Sequence, residues 1–109
     1  MNIHLISINK NALNNIKSHK KTIEGRLKKG YFNKIIQKND KIIFYNQNDK
    51  YIVLVKEVVE YDNIYKCLIN ENILTILPHI DNIDNAYNHY LKYYSDENLN
   101  KYKFLAIKF

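Results

Sequence analysis

A chain of 109 residues with 17 Lys+Arg against 11 Asp+Glu carries a formal net charge of +6, and its length fits one domain spanning 1–109. Hydrophobic residues make up 46% and aromatics 13%, which excludes a disordered tail, while 2 Gly and 1 Pro exclude collagen-like and linker-like chains. The single cysteine, Cys67, excludes an internal disulfide framework and a Cys-rich zinc site, and no stretch approaches the ~20 apolar residues of a membrane span. Met1 to Lys10 lacks the charged start and unbroken apolar run of a signal peptide, so the expectation is a soluble, intracellular, cytoplasmic domain.

Asn, Ile and Lys number 17, 17 and 16, and all three have AT-rich codons. Lysine abundance here follows base composition as readily as selection for a polyanion. The lone arginine, Arg26, carries more information than any lysine.

Ile3 to Ile8 alternates in hydropathy and predicts a first strand. Asn9 or Asn11 can cap a short helix bearing Ala12, Leu13 and Ile16 and ending near Ser18 and His19. Thr22 to Leu27 is β-prone, Lys28-Lys29-Gly30 breaks it, and Tyr31 to Gln37 predicts one helical turn with Phe32, Ile35 and Ile36 at helical spacing. The Asn39-Asp40 turn leads into a strand from Ile42 to Tyr45. A polar loop at 46–50 then precedes one long strand, Tyr51 to Val59. Its first half is apolar on both faces, which predicts a central position. Asp62 or Asn63 caps a helix carrying Ile64, Cys67 and Leu68, and another turn or two follows before Pro78. Ile83, Ala86, Tyr87, Tyr90, Leu91 and Tyr94 form the clearest amphipathic helix. Ser95 to Lys101 reads as a polar turn and Tyr102 to Ile107 as a closing strand. The order β-α-β-β-β-α-α-β predicts an α+β fold, and strands at both ends point to a curled or barrel-like sheet.

The chemistry concentrates in Lys21-x-x-Glu24-x-Arg26. On a strand, Glu24 and Arg26 share one face and Lys21 sits just before it. Two cations and a carboxylate then meet at one sheet end, a site for an anion or a polar heterocycle, with Arg26 offering a planar fork. A lysine held among apolar neighbours near a second cation can also lose its proton and act as base or nucleophile. The same residues equally fit an exposed ion pair on a surface strand. Lys17, Lys20, Lys21, Arg26, Lys28 and Lys29 place six cations within 13 residues against Glu24 alone, which reads as a phosphate track. Among ten tyrosines, Tyr87, Tyr90 and Tyr94 read as core, whereas Tyr31 and Tyr93 fall where a base could stack. His4, His79 and His89 show no metal-ligand spacing, so neither metal nor cofactor is expected, and Cys67 reads as core.

These residues resemble the ASCH family, whose members have a PUA-like fold and carry Gly-x-Lys-x-x-Glu-x-Arg just after the first helix. Lys21, Glu24 and Arg26 match it, Thr22 and Gly25 fit its common "KTxEGR" form, and His19 stands where the Gly is expected. Asn39-Asp40-Lys41-Ile42-Ile43-Phe44 is similar to the family's "GDxIxF", with Asn for Gly. Tyr90 to Tyr94 and Leu105-Ala106-Ile107 are similar to its Tyr-rich helix and final strand. The resemblance implies a PUA-like β-barrel with helices packed around it, a cleft lined by the signature, and RNA or a modified nucleoside as partner. Lys21, Glu24 and Arg26 then contact the ligand, with Lys28, Lys29, Tyr31 and Tyr93 as further contacts. Some members are N4-acetylcytidine amidohydrolases and some are reported as ribonucleases; in an enzyme of this kind Lys21 and Glu24 are the catalytic candidates. The amidohydrolase pattern has a Thr nucleophile three positions after the Lys, where this chain has Glu24. A protein-interaction module, with lysines serving solubility, is the remaining class.

Overall fold

The computed structural model describes residues 1–33 and 36–109. Six strands and five helices follow in the order β1 (Ile3–Ser7), α1 (Lys10–Lys17), β2 (Ile23–Leu27), a 3-10 turn (Gly30–Asn33), β3 (Lys41–Asn46), β4 (Asp49–Leu54), β5 (Glu57–Tyr61), α2 (Ile64–Asn70), α3 (Ile73–Ile76), α4 (Ile83–Tyr90), α5 (Asp96–Lys101) and β6 (Phe104–Lys108). The predicted α+β class holds. The turn predicted over Tyr31 to Gln37 begins as the 3-10 turn, while its Ile35 lies outside the described residues. The asparagines have a structural use: Asn9, Asn63, Asn72 and Asn82 cap four helices, each accepting a backbone N–H of the first turn, and Ser95 caps the fifth.

The strands form two three-stranded sheets. In the first, β1 runs parallel to β3 and β4 returns antiparallel, in the order β1-β3-β4; in the second, β6 lies between β2 and β5, antiparallel to both. The long strand predicted over Tyr51 to Val59 is two strands, broken at Val55 and Lys56. There the chain changes partners: Val55 N–H bonds to the Asp40 carbonyl and Lys56 N–H to that of Lys108. One continuous ribbon thus leaves the first sheet and enters the second, with the Val55 side chain buried at the corner.

Centrality falls elsewhere than predicted. β4 is an edge strand whose Ile52 and Leu54 are exposed. The true centre is β6, with Phe104 to Ile107 all buried. Phe104 and Ala106 enter a core with Leu68, Ile76, Tyr87 and Leu99 from the helices, whereas Leu105 and Ile107 enter a second core with Ile6, Leu13, Ile16, Ile42 and Phe44. Alternation along a single strand therefore welds the helix layer to the first sheet. The predicted polar turn at 95–101 is α5, which one buried leucine, Leu99, anchors. Asp96 and Glu97 in its first turn and Lys101 in its last complement its dipole.

The two strands should respond differently to substitution. Ile107→Ala should cost about 2–5 kcal/mol, whereas Ile52→Thr on the exposed β4 face should stay within about 0.5 kcal/mol of wild type. Urea unfolding of the two variants checks this, and a large loss at Ile52 would contradict the edge placement.

A candidate ligand cleft at the β2 edge

β2 is one of the two edge strands of its sheet, and a cleft of about 580 Å³ opens alongside it. That volume lies in the usual range for small-molecule sites. The floor is Lys21, Glu24, Gly25 and Arg26. One wall is the end of β1 and the start of α1, presenting Asn9, Asn11 and Asn15; the other runs from Ile76 to His79 and from His89 to Tyr94.

The ion trio of the floor is buried, Lys21 being 4% exposed and Glu24 8%. Lys21 Nζ lies 2.7 Å from the Ile23 carbonyl, 2.7 Å from that of Ile76 and 3.0 Å from Glu24 Oε1. An ammonium has three donors, and all three are spent. The other Glu24 oxygen, Oε2, accepts from Arg26 Nε at 2.6 Å. Burial pushes the Glu24 carboxyl up, but the Lys21 and Arg26 charges outweigh it and hold the group below the usual carboxylate range. Burial likewise works against the Arg26 charge, and Glu24 outweighs it and raises the guanidinium. The guanidinium carbon sits 4.9 Å over the Phe32 ring.

Gly25 has a steric and a hydrogen-bonding part. A Cβ there would come within 2.6 Å of the Tyr90 hydroxyl and 2.8 Å of the Phe104 ring, so only glycine admits Tyr90 to the cleft. Phe109 N–H bonds to the Thr22 carbonyl and Lys28 N–H to that of Lys103, which fixes the antiparallel alternation. Glu24 and Arg26 turn their backbone groups to β6, and Gly25 turns its N–H and C=O outward to the strand edge. Among the described residues neither Gly25 group has a hydrogen-bond partner.

The wall opposite α1 is aromatic. His89 packs edge-on to His79 and Tyr90 and tilts against Tyr93. Burial, then the Lys92, His79 and Lys21 charges, lowers the His89 imidazole, which is therefore neutral at pH 7. Burial pushes the Tyr90 phenol far above its ordinary range; it also raises Tyr94, against the pull of Arg26. Both phenols stay protonated.

Of the residues singled out from the sequence, Lys21, Glu24, Arg26 and Tyr93 meet in this cleft. Lys28 pairs with Glu60, Lys29 lies over the Tyr102 ring, and Tyr31 bonds to His4, all three away from the cleft. The phosphate track is weaker than its spacing implied, because Lys17 pairs with Asp49 and Lys28 with Glu60. Those counterions lie far along the chain, beyond the reach of local spacing. No local spacing marks Asn9, Asn11 and Asn15 as one wall of a cleft, or brings His79 and His89 together. His89 falls on the polar face of the α4 pattern, where spacing does not single it out. Among the described residues no three His, Cys, Asp or Glu side chains gather as a metal site, and no helix is long and apolar enough to cross a membrane.

Fold and site together define a small α+β domain with a charged, aromatic-walled cleft at a sheet edge. No family model matches the chain, and no curated protein does. The crystal structure of the hypothetical protein PH0355 is similar, with 30% identity and a TM-score of 0.86 over 99% of this chain and 96% of that one. The solution NMR structure of protein PF0455 from Pyrococcus furiosus is 29% identical, with a TM-score of 0.77 over 99% and 94%. The protein belongs to the same family as PH0355.

Removing Lys21 as Lys21→Met should cost about 3–5 kcal/mol, because it leaves a buried carboxylate and two carbonyls short of a donor; Glu24→Gln in the same molecule should recover part of that loss in urea unfolding. Because the folded Glu24 pKa is depressed, its stabilisation is complete above the ordinary value of 4.5 and is lost as pH falls through the lower folded value. Acid titration of Glu24→Gln should lack that component. Gly25→Ala should cost about 1–3 kcal/mol in urea unfolding, by overpacking against Tyr90 and Phe104.

Proposed function

We propose that the protein binds a modified nucleoside or a single nucleotide of RNA in the β2-edge cleft. The observation that carries this reading is the outward-facing N–H and C=O of Gly25, which have no partner among the described residues, beside the Glu24–Arg26 pair and opposite an aromatic wall. A nucleobase has what such a site lacks: a donor–acceptor edge for Gly25 and a flat face for Tyr93 or His89. Arg26 keeps terminal amino groups beside the Tyr94 hydroxyl for a base edge or a phosphate. Asn9, Asn11 and Asn15 add amides that can both donate and accept.

The ASCH resemblance supports the same reading in its backbone. The two positions where that pattern has glycine, His19 and Asn39, adopt φ of 62° and 75°, a conformation glycine takes without cost. A ribbon that switches sheets at Val55 and Lys56 also suits a PUA-like barrel. Within this proposal Lys21 is a positioning residue that fixes Glu24, since an ammonium with three bonded donors has no lone pair with which to attack. Glu24, held ionised, is a weak base. Both features favour a binding module over a ribonuclease or an amidohydrolase.

Titration of single-stranded RNA and of free nucleosides, in EDTA, tests the proposal. Wild type should hold ligand without cutting RNA, and Arg26→Gln should weaken binding at least tenfold. With one guanidinium at the cleft and with Lys17 and Lys28 paired, log K for RNA should fall against log salt with a slope of about −0.7, the value for one phosphate neutralised on a single strand. A slope several times steeper would restore the lysine track. Failure to hold either RNA or nucleoside would end the nucleobase reading.

A further inference from the structure

A second polar cluster lies outside the cleft. His4, on the inward face of β1, is 3% exposed. Its Nε2 stands 2.8 Å from Asp40 Oδ2, and its Nδ1 stands 2.8 Å from the Tyr31 hydroxyl. Asp40 is itself buried, and its oxygens accept the backbone N–H groups of Asn2 and Gln37, each at 3.0 Å. Those contacts, Asn2 first and then His4, hold the Asp40 carboxyl down at about 2 against the effect of burial. It is ionised at neutral pH and can only accept. Nε2 must therefore carry a proton, and in the neutral imidazole Nδ1 turns its lone pair to the Tyr31 O–H.

The phenol is half in solvent: Tyr31 is 46% exposed. Its ring stands edge-on to Phe32, and its oxygen is the outer end of a hydroxyl–imidazole–carboxylate line. A nucleophile bonded to a base, with the base oriented by a third group, is the arrangement that activates weak nucleophiles.

We propose that Tyr31 is a nucleophilic tyrosine, activated by His4 and Asp40, and a site of covalent acylation by activated acyl esters. The phenolic oxygen attacks the acyl carbonyl carbon and its proton passes to His4 Nδ1. The ester C–O bond then breaks, its electron pair departing with the leaving alkoxide or phenolate, which takes a proton from His4 or from water. Asp40 offsets the imidazolium charge while it lasts. Tyr31 is left as an O-acyl ester, and no oxidant or further reactant is needed.

The molecule supplies its own control in Tyr93, which is more exposed at 61% and has no hydrogen-bonded base among the described residues. Wild-type protein is treated with 4-nitrophenyl acetate at pH 7, and hydroxylamine-labile acetyl groups on each tyrosine are followed by peptide mass spectrometry. Tyr31 should react about 100-fold faster than Tyr93, the lower range of general-base assistance. Asp40→Asn can donate to Nε2 and so reverse the tautomer; in a sample shown folded by circular dichroism it should bring Tyr31 down to the Tyr93 rate. A Tyr31 that reacts no faster than Tyr93 in wild type overturns the proposal and leaves the trio as a structural clamp. So does a folded Asp40→Asn in which Tyr31 keeps its rate.

Discussion

The cleft rests on one buried carboxylate. Glu24 lies between Lys21 and Arg26, and each of its oxygens has a cation. A lone charge at this depth would be neutralised or would unfold the strand edge. The pairing is what allows the edge of β2 to be both polar and sunk beneath three elements. Lys21 extends the constraint outward: by bonding the Ile23 and Ile76 carbonyls it ties the start of β2 to the end of α3. The distance between the cleft floor and the Pro78–His79 rim is thereby set. The same bonds remove Lys21 from chemistry, so the residue that holds the site together is not one that reacts in it.

β6 plays the corresponding part for the fold. Its two faces supply separate cores, one shared with the helices and one with the first sheet and α1. β2 is positioned by its register on β6, with Glu24 opposite Ile107 and Arg26 opposite Leu105. Glu24 and Arg26 thus stand on the same rungs as two residues of the second core, Ile107 and Leu105. The outward turn of the Gly25 backbone follows from this geometry, since an edge strand must turn every second residue's N–H and C=O away from its only neighbour.

Elements with strong local signals were legible in the chain. Helix α4 followed from the spacing of Ala86, Tyr87 and Tyr90, α2 from Asn63 and the stripe it precedes, and β1 and β6 from short apolar runs. α5 was not legible, because a six-residue helix with a single buried leucine at Leu99 shows no periodicity. The Tyr51 to Val59 run misled for a related reason. Hydropathy reports that Val53 and Val55 are apolar, but it does not report that the ribbon changes sheets between them and β5. In the cleft, Lys21, Glu24 and Arg26 could be read because they lie within six residues. His79 and His89 could not, because they come together only across the Pro78 loop.

By itself the sequence determined local matters: which strongly patterned segments are helix or strand, that polar residues such as asparagine stand ready to cap them, and that Glu24 and Arg26 share one strand face with Lys21 just before it. Strand periodicity and capping chemistry act over a few residues, so these need no knowledge of the rest of the chain. Which charges remain free was decided only in three dimensions. Asp49 comes to Lys17 and Glu60 to Lys28 from more than thirty residues away, and they offset two charges of a basic stretch that looked open. Tyr31, His4 and Asp40 form a line through contacts spanning 27 and 36 residues. Charge pairing and hydrogen bonding depend on distance in space, and only the packing of the two sheets sets that distance.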